Sequence, residues 1–267
     1  MKVASILTLL AGIATAAPVA EPVEARQLFG GVGMTATEFT DGGCKPIIFI
    51  FARGSTEPGN FGFIAGPNTA DTLKEIFGAG NVAVEGVDYP ALLTTNFLPS
   101  GGDPTGVSDM KAKLQKAANC EGSIIVAGGY SQGAAITHEA IEGSPAQVVE
   151  RIAGVVTFGD TQKLQSGGKI KGIPPQNFKI ICATGDLVCS GTLIITVAHL
   201  TYSVDGEDAG NFLADRIRAA QSSGGSSGGS TGGSTGGSTG GFDGSSSEGL
   251  GASGGGILGG FSLFGEK

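Results

Sequence analysis

A serine becomes a nucleophile only where a rigid turn presents its hydroxyl and a base can take its proton. The pattern Gly-x-Ser-x-Gly lets a strand turn sharply into a helix with the serine at the apex. It occurs at Ser131, Ser226, Ser227, Ser230, Ser234, Ser238 and Ser253. All but Ser131 lie in a Gly/Ser-rich run, where composition alone produces the match. Only Ser131 follows a continuous apolar segment (Ile124-Ile125-Val126-Ala127) and opens a helix-forming one (Gly133-Ala134-Ala135-Ile136). The chemistry of a serine so placed is acyl transfer. Its oxygen attacks a carbonyl carbon, and the N–H groups at the helix start face the negative charge that develops.

The chain has two histidines to serve as base. His138 follows Ser131 by seven positions on the same helical stretch, about 10 Å along the axis at 1.5 Å per residue. It is out of reach and reads as an ordinary helix residue. His199 is left as the base, and it lies after the last strand. A carboxylate must then fix its tautomer and stabilise the imidazolium. Between Ser131 and His199 stand Glu139, Glu142, Glu150, Asp160 and Asp186. The three Glu are on helical stretches, Asp160 ends the fourth strand, and Asp186 follows the fifth. Chain order fits either Asp. Asp186 is favoured because a loop clamped between Cys182 and Cys189 holds a carboxylate well, and Asp160 is the alternative. A second oxyanion donor belongs in the loop after the first strand, Ala52-Arg53-Gly54-Ser55-Thr56-Glu57. There Ser55 offers its N–H and hydroxyl beside the N–H of Gln132. On the residues alone, 53–57 reads equally well as a turn held by a salt-bridged Arg53.

These groups need a scaffold, and strands alternate with helices along the chain. Pro46 to Ala52 is a continuous apolar run, the mark of a strand buried on both faces. Further strands are expected at 82–87, 123–127, 154–158 and 178–183. Helices are expected at 67–77, around Met110, Leu114 and Ala117, at 132–141, at 145–151 and at 211–220. Such alternation implies a parallel sheet with helices on both faces. The expected fold class is α/β, a three-layer α/β/α sandwich with a five-stranded parallel central sheet.

Of the 267 residues 49 are Gly, and residues 222–267 hold 19 of them. The balance of 16 Lys+Arg against 24 Asp+Glu argues against a nucleic-acid partner, whose phosphates call for a basic patch. No run of 18 apolar residues offers a transmembrane segment. Residues 1–17 read as a signal peptide, with Lys2, an apolar stretch from Ala4 to Ile13, and Ala14-Thr15-Ala16 as cleavage pattern. The expected organisation continues with a propeptide or disordered lead at 18–30, a catalytic domain at 31–221, and a disordered Gly/Ser tail at 222–267. In a secreted, extracellular protein four cysteines should pair. Cys182 and Cys189 are close enough to close a small loop, which leaves Cys44 with Cys120. A zinc site is not expected, since there is no C-x2-C pair.

The segments Ala52 to Glu57, Gly128 to Gly133, Cys182 to Cys189 and His199-Leu200-Thr201-Tyr202, in this order, resemble the secreted fungal cutinases. The likeness covers about residues 44–220. Ala198 departs from it, standing before the histidine where Pro is common. The resemblance implies a small lidless α/β-hydrolase with two disulfides, with Ser131 as nucleophile, Asp186 as acid, His199 as base, and Ser55 and Gln132 as the oxyanion hole. It implies hydrolysis of cutin polyester and of soluble short-chain esters, by a monomer needing no metal or cofactor. Leu193, Ile195 and Leu200 near the base are candidates to line an acyl-chain crevice. Acetylxylan esterases, which share the fold and motifs, are the alternative, and a non-catalytic surface-binding protein is a remote one.

Overall fold

A computed structural model describes residues 31–225 of the chain. The expected signal peptide, the 18–30 segment and the tail beyond 225 lie outside the described residues. Five strands form one parallel sheet: β1 (Ile47–Ala52), β2 (Val82–Gly86), β3 (Ile124–Tyr130), β4 (Ile152–Phe158) and β5 (Phe178–Ile181). Their order is β2-β1-β3-β4-β5. Every residue of β1 is buried, and the reason lies in the two-residue period of a strand. Ile48, Ile50 and Ala52 join one core, while Ile47, Phe49 and Phe51 join another on the opposite face.

Helices cover both faces. On one, α3 (Pro104–Ala118) and α4 (Gln132–Glu142) bury Met110, Leu114 and Ile136 with the even side of β1. On the other, α2 (Gly66–Phe77) and α6 (Gly206–Gly225) bury Leu73, Leu213 and Ile217 with the odd side. Two short helices, α1 (Glu38–Gly42) and α5 (Ala146–Val149), complete the set. The start of α3 is capped by Asp103, whose carboxylate accepts the Thr105 N–H at 2.9 Å. The three-layer α/β/α sandwich is therefore present. Among the described residues no helix is long and apolar enough to cross a membrane.

Two elements run further than their composition suggests. Strand β3 continues through Gly128 and Gly129 to Tyr130. A Cβ on Gly128 would lie 2.6 Å from the Val156 carbonyl oxygen, so glycine here reports close packing and not a strand end. Helix α6 begins at Gly206 instead of 211 and passes beyond residue 221. Its Gly206 and Gly210 sit against α2, where added Cβ atoms would meet Asn68 and Thr72 side chains at 2.4 and 2.5 Å. These glycines read as breakers in sequence and act as a helix–helix seam.

All five strands are parallel, so their carboxyl ends share one edge of the sheet. The loops after β1, β3, β4 and β5 leave from that edge, at which open α/β sheets place their sites. Disulfides Cys44–Cys120 and Cys182–Cys189 are both formed. The first anchors the approach to β1 to the end of α3, and the second closes the loop after β5.

Candidate active site

Ser131 stands between β3 and α4 with φ 56° and ψ −117°, a conformation L-residues avoid. Small neighbours hold it there. A Cβ on Gly129 would lie 2.1 Å from the Gly133 carbonyl oxygen, and one on Gly133 would lie 2.0 Å from that of Ala52. The Ser131 N–H is taken by the Phe158 carbonyl at 2.9 Å, which ties the elbow to the end of β4. Its hydroxyl faces His199, with Nε2 3.0 Å from Oγ. On the other side of the ring, Nδ1 lies 2.8 Å from Asp186 Oδ2. All three residues are buried, Ser131 being 8% exposed, which leaves a narrow opening at the hydroxyl.

The acid is fixed from several directions. Asp186 Oδ1 accepts the Val188 N–H at 3.0 Å, and Oδ2 accepts the hydroxyl of Tyr202. Tyr202 is itself held by the Ala183 N–H at 3.0 Å. Tyr130 donates its hydroxyl to the His199 carbonyl at 2.7 Å, and its ring lies 5.2 Å from the imidazole. Burial raises the pKa of both phenols, helped by the nearby Asp186 charge, so they remain donors. A Cβ on Gly159 would meet His199 Cε1 at 2.7 Å, so the turn after β4 forms a close wall for the ring. Tyr130, Tyr202 and Gly159 have no catalytic signature in sequence. The nearest signal is their place beside Ser131, His199 and the end of β4.

The loop after β1 brings Ser55 to the same cleft. Its Oγ accepts from Asn96 Nδ2 at 2.8 Å. The neighbouring N–H groups of Thr56 and Ser131 are bonded to the Ala91 and Phe158 carbonyls. Among the described residues those of Ser55 and Gln132 meet no backbone acceptor. That leaves two N–H groups without a backbone partner, one in the loop after β1 and one at the start of α4, and N–H donors are the kind of group an oxyanion requires. The Gln132 side chain points elsewhere, donating to Leu92 O at 2.9 Å and Thr95 Oγ1 at 2.8 Å. It thereby tethers the 93–97 turn that carries Asn96. The salt bridge of Arg53 in the alternative reading of 53–57 is not found among the described residues: its guanidinium donates to the Glu57 and Tyr89 carbonyls at 2.7 and 2.8 Å.

Above the hydroxyl lies a cleft of about 360 Å³. Its walls are mostly apolar, with Phe63, Leu93, Phe97, Leu193, Ile195 and Leu200 among the lining residues. A family model described as Cutinase matches residues 43–217. The chain belongs to the cutinase family. As a cutinase it is a carboxylic ester hydrolase. It is 47% identical over 210 residues to Cutinase CUT2 of Pyricularia oryzae, covering 78% of this chain and 95% of that one. It is 44% identical to Probable cutinase 5 of Aspergillus terreus, covering 79% and 96%. The solved structure of Trichoderma reesei cutinase in complex with a C11Y4 phosphonate inhibitor superposes with a TM-score of 0.63. Identity there is 31%, covering 73% of this chain and 84% of that one.

The other Asp is engaged elsewhere in this cutinase. Asp160 Oδ2 lies 3.0 Å from His138 Nε2 and accepts the Thr157 hydroxyl at 2.7 Å, while Oδ1 accepts the Gln162 N–H at 2.8 Å. His138 is thus half of a second buried pair, where the sequence suggested an ordinary helix position. Glu57 is a further residue that sequence reasoning missed. Its buried carboxylate lines the cleft, and burial raises its pKa against the pull of three N–H groups and Arg53. Among the described residues, no group of three or more His, Cys, Asp or Glu is arranged to hold a metal.

Proposed function

We propose that this cutinase is a secreted monomeric enzyme that hydrolyses cutin polyester and soluble short-chain esters through an acyl-enzyme, without metal or cofactor. The observation that carries the reading is the unbroken chain from Ser131 Oγ through His199 to Asp186, opening onto an apolar cleft. In this reading Ser131 Oγ attacks the ester carbonyl carbon as His199 Nε2 takes its proton. The N–H groups of Ser55 and Gln132 hold the oxyanion. His199 then protonates the leaving alkoxide, and the alcohol departs. Water, deprotonated by His199, attacks the acyl-Ser131 ester, and the acid is released as the serine recovers its proton. Asp186 keeps the imidazole in the tautomer that presents a free Nε2 to serine. Both disulfides suit an oxidising compartment, which supports secretion.

The cleft favours an aliphatic acyl chain over a sugar, because most of the surface its walls expose is apolar. Leu193, Ile195 and Leu200 are about half exposed at its rim, available to an incoming chain. The test compares wild type with Ser131→Ala on p-nitrophenyl butyrate, cutin and acetylated xylan. Wild type should release products from the first two, and the variant should lose about 10⁵–10⁶ of that rate. Turnover surviving in Ser131→Ala refutes the nucleophile. Activity confined to acetylated xylan would move the substrate class to acetylated polysaccharide.

A further inference from the structure

The loop that carries Ser55 is held in an unfavourable shape. Among the described residues, the non-glycine positions with left-handed φ are Thr56 (65°), Ala91 (52°) and Ser131. The Thr56 N–H donates to the Ala91 carbonyl at 2.8 Å, so two strained residues brace one another beside the cleft. Strain of this kind persists only where the surroundings over-determine it. Arg53 grips the loop by its carbonyls, as described above. Glu57 grips it by its amides. Its Oε2 accepts the Gly54 N–H at 2.6 Å, and its Oε1 accepts the N–H groups of Phe63 and Ile64, each at 2.8 Å. Glu57 is buried, at 7% exposed. Its space is kept by glycine, since a Cβ on Gly62 would lie 2.5 Å from Oε2.

We propose that Glu57 is the positioning residue of the oxyanion loop, its carboxylate fixing Gly54 and thereby the aim of the adjacent Ser55 N–H. The proposal rests on the reading of Ser55 as an oxyanion donor. Three N–H groups converge on the two oxygens, so both oxygens must accept. Only the carboxylate satisfies this. An amide has one accepting oxygen and must turn its NH2 toward either Gly54 or the Phe63–Ile64 pair, setting donor against donor. Glu57 → Gln therefore changes almost no volume and releases one end of the clamp. Glu57 takes no part in proton transfer and acts through Ser55.

The experiment measures kcat and KM of Glu57→Gln on p-nitrophenyl butyrate, together with the rate of inactivation by a p-nitrophenyl alkylphosphonate. The folded fraction is checked by thermal melting. Removing a whole oxyanion donor lowers kcat by about 10²–10³; misaiming one should lower kcat and phosphonylation together by about 10–100-fold. KM should stay within about two-fold; a smaller folded fraction would also lower kcat at unchanged KM, but it would leave the phosphonylation rate constant of the surviving enzyme at its wild-type value. Glu57→Asp, which keeps both oxygens but withdraws them, should show the same split with a smaller loss, and it carries the test if Glu57→Gln does not fold. A kcat within two-fold of wild type, or a loss that only follows the unfolded fraction, overturns the proposal. Ser131→Ala in parallel separates the two readings. Turnover surviving there refutes the esterase mechanism, whereas wild-type kcat in the Glu57 variants refutes only the role of Glu57.

Discussion

Two buried His–Asp pairs meet the turn after β4, one through Asp160 itself and one where Gly159 packs on His199, and they differ in which imidazole nitrogen meets the acid. In the pair beside the cleft, Nδ1 of His199 faces Asp186 and Nε2 is left for Ser131. In the other, Nε2 of His138 faces Asp160 itself. The distances are similar, 2.8 and 3.0 Å, and all four side chains are buried. Residue type and spacing therefore do not separate the dyad proposed for catalysis from the one proposed to hold the fold. What separates them is whether the second nitrogen is aimed at a nucleophile. His199 gets that aim from Tyr130, Tyr202 and the wall at Gly159, while His138 is fixed on α4 and joins that helix to the turn.

The sharpest way to break this comparison is to replace each histidine by glutamine. His199→Gln should lose about 10⁵–10⁶ of kcat on p-nitrophenyl butyrate. His138→Gln should stay within about ten-fold and show its effect in the melting temperature. Comparable losses of kcat in both would show that the second pair belongs to the chemistry. The acids give the next contrast. Asp186→Asn frees the imidazole to take the wrong tautomer, and about 10⁴ in kcat should go with it. Asp160→Asn leaves His138 poorly partnered, at about 2–3 kcal/mol of stability. Its melting temperature should fall by about 5–10 °C while kcat changes little. If Asp186→Asn were as active as Asp160→Asn, the orienting role assigned to Asp186 would be wrong.

The sequence was informative wherever a local pattern carries the physics. Apolar runs mark β1, β3 and β4 most clearly, because strands inside a parallel sheet are covered on both faces, while the edge strands β2 and β5 carry Glu85 and Lys179. Ser131 stands out from its false matches because strand, turn and helix follow one another within a few residues. Asp186 and Asp160 could not be separated so firmly. Each follows a strand end, and their fates depend on partners 13 and 22 positions away. The same holds for Tyr202, which reaches Asp186 from a turn beyond His199, and for Glu57, whose three donors come from two loops. Glycine misled in the other direction. Gly128 and Gly210 read as ends of elements, but each marks a close contact inside one.

The smallest expected effect is also the most specific to the structural pair. Burial by itself would raise the carboxyl of Asp160, but the hydrogen bond and charge of His138, joined by Thr157 and the Gln162 N–H, outweigh it and hold the group below its ordinary value of 3.8. The folded protein then binds this proton less readily than the unfolded chain does. Stability from Asp160 is therefore fully present above the unfolded value and is lost as pH falls through the folded one. Wild type should show a melting temperature that drops steeply below about pH 4. In Asp160→Asn this contribution is missing at every pH, so its curve should start lower near neutrality and fall less steeply in acid. The two curves should converge as the carboxyl of the wild type is protonated. Parallel curves from pH 6 to pH 2.5, measured by circular dichroism, would mean that the His138–Asp160 contact does not bias that proton, and the distinction between a pair that holds the fold and a pair that moves protons would lose its electrostatic half.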